Sequence, residues 1–220
     1  MPSDFPRSPK MLKGALVVFE TKLPIPTNLI VFQYNPESMS RSFTQLGGGD
    51  QSQTQSSGDT QPKLPPVESF QVSVDLDAAD QLETKNPLAI ATGLHPTLAA
   101  LELLLYPPST ELILNTALSL VGSSIISPAQ APLVLFVWGP LRVVPVRVMS
   151  VGITEQAFDQ LLNPIQAKVQ LGLRALTVPE LALAGTPFSQ LGIVNQIAKE
   201  ALARANIFNS IQAIGGSLSF

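Results

Sequence analysis

Two stretches of strict alternation constrain this chain more than anything else in it. From Glu68 to Asp77, Phe70, Val72, Val74 and Leu76 alternate with Ser69, Gln71, Ser73, Asp75 and Asp77. From Ile165 to Leu176, Ile165, Ala167, Val169, Leu171 and Leu173 alternate with Gln166, Lys168, Gln170, Gly172 and Arg174. A period of two puts every second side chain on the same side of a strand, so each stretch predicts a half-buried strand with one apolar and one polar face. Short runs rich in Val, Leu and Phe predict further strands at Leu12–Glu20, Leu29–Tyr34, Arg41–Leu46, Leu133–Trp138, Leu141–Val148 and Val151–Phe158. Gly139-Pro140 joins two of them as a hairpin, and Pro145 marks an edge position or a bulge, because proline has no N–H to give a ladder.

Helices are fewer. His95-Pro96 opens one with proline in its first turn, and Leu98, Leu101, Leu104 and Leu105 form its apolar stripe before Pro107-Pro108. A second follows Thr186-Pro187, with Leu191, Val194, Ile197, Ala198, Ala201, Leu202 and Ala205 facing inward and Lys199, Glu200 and Arg204 outward. The expected organisation is a Pro/Ser-rich flexible arm over 1–11, a β domain over 12–180, and a C-terminal helix with an apolar tail over 181–220. Within the β domain, the Gly/Ser/Gln stretch 47–66 reads as a flexible loop and 94–131 as a helical insert. The expected fold class is mainly β (α+β): an antiparallel barrel or sandwich of seven or eight strands carrying an inserted helix and a C-terminal helix.

Charge narrows the function. Only 13% of the 220 residues are Asp, Glu, Lys or Arg, about half the usual quarter. Hydrophobic residues at 45% exclude a disordered chain, which would be polar and highly charged. A net charge of -3 argues against nucleic acid as a partner. No cysteine and a single histidine exclude thiolate or His-rich metal sites and cysteine nucleophiles. The charge-free run from Leu112 to Leu141 raises a membrane reading, but its apolar part ends at Ile126 and Pro128, Pro132 and Pro140 interrupt the rest. A buried helix or an interface segment fits it better. The first residues carry no apolar secretory core, so cytoplasmic assembly is expected.

Candidate chemistry is thin. Asp75, Asp77 and Asp80 form a D-x-D-x-x-D cluster, but the sixth position of a calcium loop would be Asp80 instead of Gly, and the twelfth Asn86. Gly47–Asp50 would cradle a phosphate only at a strand-to-helix turn. His95 could act as a base, yet no nucleophile elbow accompanies it, and a place at the start of its helix suits it better. Trp138 could stack a ligand, but its strand is apolar. The residues therefore predict neither enzyme, metal nor cofactor, and point to a structural or interaction protein.

Three ordered segments carry a resemblance. Val31–Phe43 contains Phe32, Tyr34, Asn35, Pro36, Glu37 and Met39; Ser69–Pro107 contains Asp75, Asp77 and Asp80; Pro132–Leu176 contains Phe136, Trp138 and Gly139, then Phe158, Asp159, Asn163, Pro164, Ala167, Lys168 and Val169. In order and spacing they resemble the N-terminal tube-type domain of contractile injection system adaptor proteins, found in phage-tail-like particles. Asn163 stands where the family has glycine, a change expected to be mild because Asn tolerates left-handed backbone. No LysM-type pattern follows residue 180, although many members have one.

The resemblance implies a six-fold ring of identical subunits with a tail-tube-like β-barrel. Its partners would be other copies, inner tube subunits and the spike hub or baseplate. Assembly would take place in the bacterial cytoplasm, the particle being retained or released. Gln71, Ser73, Asp75, Gln166, Lys168 and Gln170 would then face the channel. Two other readings stay open: a terminator ring at the distal tube end, and a membrane-associated protein anchored through 112–126.

Overall fold

The two alternating segments are neighbours in space. A computed structural model describes residues 12–19, 25–45, 65–120, 131–184 and 186–215. The expected arm at 1–11, most of the loop (47–64), the second part of the helical insert (121–130) and the end of the tail (216–220) lie outside them. The strands are β1 (Ala15–Phe19), β2 (Pro26–Val31), β3 (Met39–Thr44), β4 (Val67–Asp77), β5 (Leu133–Val137), β6 (Val143–Phe158) and β7 (Pro164–Ala175). Four helices, α1 (Ala79–Glu83), α2 (Pro87–Thr92), α3 (His95–Glu102) and α4 (Ser109–Leu120), lie between β4 and β5 in the chain. Two more, α5 (Val178–Ala184) and α6 (Thr186–Gly215), follow β7. The class is α+β, with one seven-stranded antiparallel sheet in the order β2-β1-β5-β6-β7-β4-β3.

The sheet curls around its apolar face. Strands near opposite edges share one core: Ile30 of β2 joins Phe70, Val72 and Val74 of β4 and Val169 and Leu171 of β7. Phe136 of β5 sits 5.5 Å from Phe70 and 6.5 Å from Phe32. Gln33, just past β2, accepts the Asp77 N–H at 2.9 Å, which ties the β2 edge to the far end of β4. Among the described residues no ladder joins β2 to β3. Leu94, Leu98, Leu101 and Leu104 fill the core from α3, and Leu105 is left outside. A smaller cluster lies on the other side of β1 and β5, where Leu181 of α5 and Phe188 of α6 cover Phe19 and Leu133. This second cover explains why β1 and β5 read as continuous apolar runs: their residues are wanted on both faces.

Several expectations need correction. The predicted strands at 141–148 and 151–158 are one strand, β6, of 16 residues. A register shift between Val148 and Ser150 sets two residues against one and breaks the alternation, so the sequence looks interrupted where the strand is not. Pro145 lies within β6, opposite Leu135 of β5 and at the end of the β7 ladder. Its carbonyl accepts from Leu176 N there, and the N–H it lacks falls beyond the last ladder pair, Val146 with Ala175. Residues 32–34 fall beyond β2. On α6 the sheet is met by Phe188, Leu191, Asn195 and Ala198, while Val194 and Ile197 are exposed. Lys199, expected outside, reaches Glu68. The α1, α2 and α5 helices were not foreseen; α4 falls within the expected helical insert, but its apolar residues are exposed and not buried.

Candidate functional site on the polar face of the sheet

The polar residues of both alternating segments form one continuous face across four strands. Its rows follow the ladders. Ser40, Gln71, Gly172 and Ser150 make one row across β3, β4, β7 and β6; Ser42, Ser69, Arg174 and Arg147 make the next. Ser73, Gln170 and Gly152 continue the face on β4, β7 and β6, followed by Asp75, Lys168 and Thr154. Gln71, Asp75, Gln166, Lys168 and Gln170 are exposed, and Ser73 is half-buried. The face is mostly amide, hydroxyl and glycine. Its one ion pair in these rows, Asp75 with Lys168 at 3.9 Å, is between exposed side chains and is worth about 0–1 kcal/mol.

Close contact shapes the middle of this face. A Cβ on Gly172 would lie 2.3 Å from Ser150 Oγ and 3.3 Å from Gln71 Nε2, so the missing side chain lets its two neighbours fold over the strand. Ser73 Oγ is covered and has no hydrogen-bond partner. Ser40, Ser42, Ser150, Gly152 and Thr154 belong to the face, yet the sequence reading passed over them. The signal was present in Ser150, Gly152 and Thr154, but the shift after Val148 hid its continuity with the strand before it.

The residues that carry the family resemblance hold the joints of the sheet. Asn35 Oδ1 accepts the Gly14 N–H at 2.9 Å and Asn35 Nδ2 donates to Leu12 O at 2.8 Å, which fastens the start of β1. Phe32 is fully buried, Pro36 half-buried, and Tyr34 and Glu37 are exposed. Asp77 closes β4: Oδ1 accepts from Ala79 N at 2.7 Å and Oδ2 from Gln166 Nε2 at 3.0 Å. Asp80 stands exposed in the first turn of α1. Among the described residues no group of three or more His, Cys, Asp or Glu could hold a metal ion. Trp138 packs beside Phe136 and Phe32, with centroids 5.7 and 6.4 Å away, and Gly139 at φ 80° makes the β5–β6 turn. His95 is exposed at the start of α3.

The β6–β7 turn is the tightest joint. Asp159 Oδ1 accepts from Leu161 N at 2.7 Å and Asn163 N at 2.8 Å, while Oδ2 accepts from Asn163 Nδ2 at 2.9 Å. The bond from the Asn163 side chain foremost, with those from the backbone, holds the Asp159 carboxyl below its usual range. Gly93 lets the α2–α3 connection lie against this turn: at φ 56° it takes a backbone that side chains rarely adopt, and a Cβ there would meet Pro164 O at 2.4 Å. Pro164 is buried and Phe158 half-exposed. Left-handed backbone falls on Leu162, at φ 64°, and not on Asn163, whose tolerance for it is unused. The chain matches no protein-family model and no curated protein.

A second polar feature lies beside the start of β4. Glu68 occupies the apolar register and its side chain is 6% exposed. Its Oε2 accepts from Lys199 Nζ of α6 at 2.5 Å, and Oε1 lies 3.5 Å from Arg41 of β3. Both cations lie over the Phe43 ring, 5.1 Å away for Arg41 and 5.7 Å for Lys199. A cavity of about 340 Å³ adjoins them, lined also by Trp138, Leu141, Arg142, Val144 and Leu202. Across it Asn195 Nδ2 donates to Val143 O at 2.7 Å.

Proposed function

We propose that this chain is a non-enzymatic ring subunit of a contractile injection particle, joining the inner tube to the spike hub and baseplate. The observation that carries this reading is the form of the sheet. One face encloses the core, the other presents exposed Gln71 and Gln170 to solvent, and the strands at both ends of the order, β2 and β3, leave an edge unpaired among the described residues. Such a sheet is closed by neighbours: copies arranged in a ring satisfy each other's edges and line a lumen with the polar face, giving a tail-tube-like barrel. A lining of amides and hydroxyls lets a payload pass without adhering. The exposed apolar surface of α4, with Leu112, Ile113, Leu114 and Leu120 in the open, suits a subunit covered by partners.

The location of the subunit in the particle tests this. An electron micrograph of purified particles with this chain labelled is expected to show the label at the spike end. A label at the opposite end assigns the chain to a terminator ring instead. Retention on membranes after a salt wash, without co-sedimentation with particles, would overturn both. Among the described residues no helix is long and apolar enough to cross a membrane.

A further inference from the structure

The β6–β7 turn displays what a buried turn would hide. Leu161 and Leu162 are each 76% exposed and Phe158 is 48% exposed. Nothing about this tip is loose, since Asp159 takes three hydrogen bonds from within it and Leu162 is held in a left-handed conformation that bulky side chains seldom adopt. An outlier of this kind, fixed by its surroundings and pointing apolar groups at solvent, is a reason to look for a receptor.

The receptor's chemistry is found at the other end of the same strand. The cavity beside Val144 has apolar walls from Trp138, Val144 and Leu202, and three cations, Arg41, Arg142 and Lys199, against one acid, Glu68. Glu68 engages Arg41 and Lys199, which leaves Arg142 without an ion-pair partner among the described residues. The described charges are sorted the same way. Among the described residues, Asp75, Asp77, Asp80, Glu83, Glu155 and Asp159 lie around the end where β4 and β6 finish, with Lys85 and Lys168 against them. Around the end where those strands begin lie Arg41, Arg142, Arg147, Arg174 and Lys199, against Glu68, Glu180 and Glu200.

We propose that copies of this chain join head to tail, the Phe158–Asn163 tip of one seating in the cavity beside Arg142 of the next. A tip does not seat in the cavity of its own chain, because the two are fixed at opposite ends of β6. Leucine side chains fill the apolar part, and the acidic end of one copy meets the unpaired cation of the other. The contact is heterologous, so successive copies close into a ring or extend as a filament according to the rotation at each step. The contact joins strand ends, whereas the proposed ring is closed by the β2 and β3 edges, so the inference goes beyond the ring reading and does not rest on it.

Two variants with opposite defects test it. Leu161→Asp with Leu162→Asp spoils the tip, and Arg142→Glu spoils the cavity; all three positions are exposed or half-exposed, and circular dichroism confirms folding of each. By analytical ultracentrifugation the parent chain is expected to self-associate, each variant alone to do so at least about tenfold more weakly, and an equimolar mixture to stop at a heterodimer. That last result follows only if one good tip and one good cavity suffice. The absence of cysteine gives a second readout, since Leu162→Cys in one copy and Leu202→Cys in another should form a linked dimer on oxidation. The inference is overturned if both variants associate like the parent, if the mixture gives no dimer, or if the parent is monomeric up to its solubility limit. A label absent from particles would sink the ring reading and leave the contact to the ultracentrifuge.

Discussion

Glu68 stands where its neighbours on the same face, Phe70 and Val72, are apolar, so its carboxylate depends on the cations that reach it. The two sides of this cluster are unequal. Lys199 and Arg41 are half-exposed and can be hydrated if Glu68 is lost, whereas Glu68 has almost no access to water. Lys199→Met should therefore cost about 2 kcal/mol, below the full penalty of a buried unpaired charge because Arg41 remains at 3.5 Å. Glu68→Gln, which keeps a hydrogen-bonding side chain, should cost about 1 kcal/mol. Urea midpoints at constant slope compare the two, and a larger loss for Glu68→Gln would refute the ordering. An acid in the apolar register of a strand is visible in the sequence. Its partner is not, because Lys199 lies 131 residues away and its helix was read with that side chain outward.

The α5 helix opens with the glutamate half of a capping box at Thr177-Val178-Pro179-Glu180, which the alternation next to it obscured. Glu180 Oε2 accepts from both Thr177 N and Thr177 Oγ1 at 2.9 Å, and Arg174 Nη2 donates to Oε1 at 2.6 Å. Partial burial pushes the Glu180 carboxyl up, but the bonds from Arg174 and Thr177 outweigh it and bring the pKa from 4.5 to about 2. The folded state thus prefers the charged form. Its contribution is complete above about pH 5 and disappears as the pH falls toward 2, amounting to about 1–2 kcal/mol once screening of a pair roughly a third exposed is allowed for. Glu180→Gln should lie below the parent by that amount at pH 7 and meet it near pH 2. Parallel stability curves across that range would exclude the linkage. The box also marks how α5 and α6 come to cover β1 and β5, since Leu181, the next residue, is fully buried against Phe19 and Leu133.

At the scale of the whole molecule, the alternation of β4 and β7 specified which side chains meet water, and the structure keeps Phe70, Val72, Val169 and Leu171 inside and Gln71, Lys168 and Gln170 outside. The strand order was not legible, because it rests on ladders such as Leu16 with Phe136, set by packing between distant segments and not by any local pattern. The curl was equally hidden, since Phe32 and Phe70 meet through Phe136 only after those ladders form. What the polar face does is where fold and proposed function separate experimentally. Gln71→Glu with Gln170→Glu adds charge to an open surface whose cross-strand neighbours are Ser40, Gly172, Ser73 and Gly152. Stability should change by no more than about 0.5 kcal/mol per site, because neither side chain is buried. If the face lines a channel, several copies repeat the new charges around it, and particles should assemble in normal number yet load less of an acidic payload than a neutral one. A loss of several kcal/mol in urea would mean that the face is packed, and equal loading of both payloads would place it away from the lumen. The pairing of the two measurements matters, since a subunit that folds and assembles as before can lose loading only through the surface that was changed.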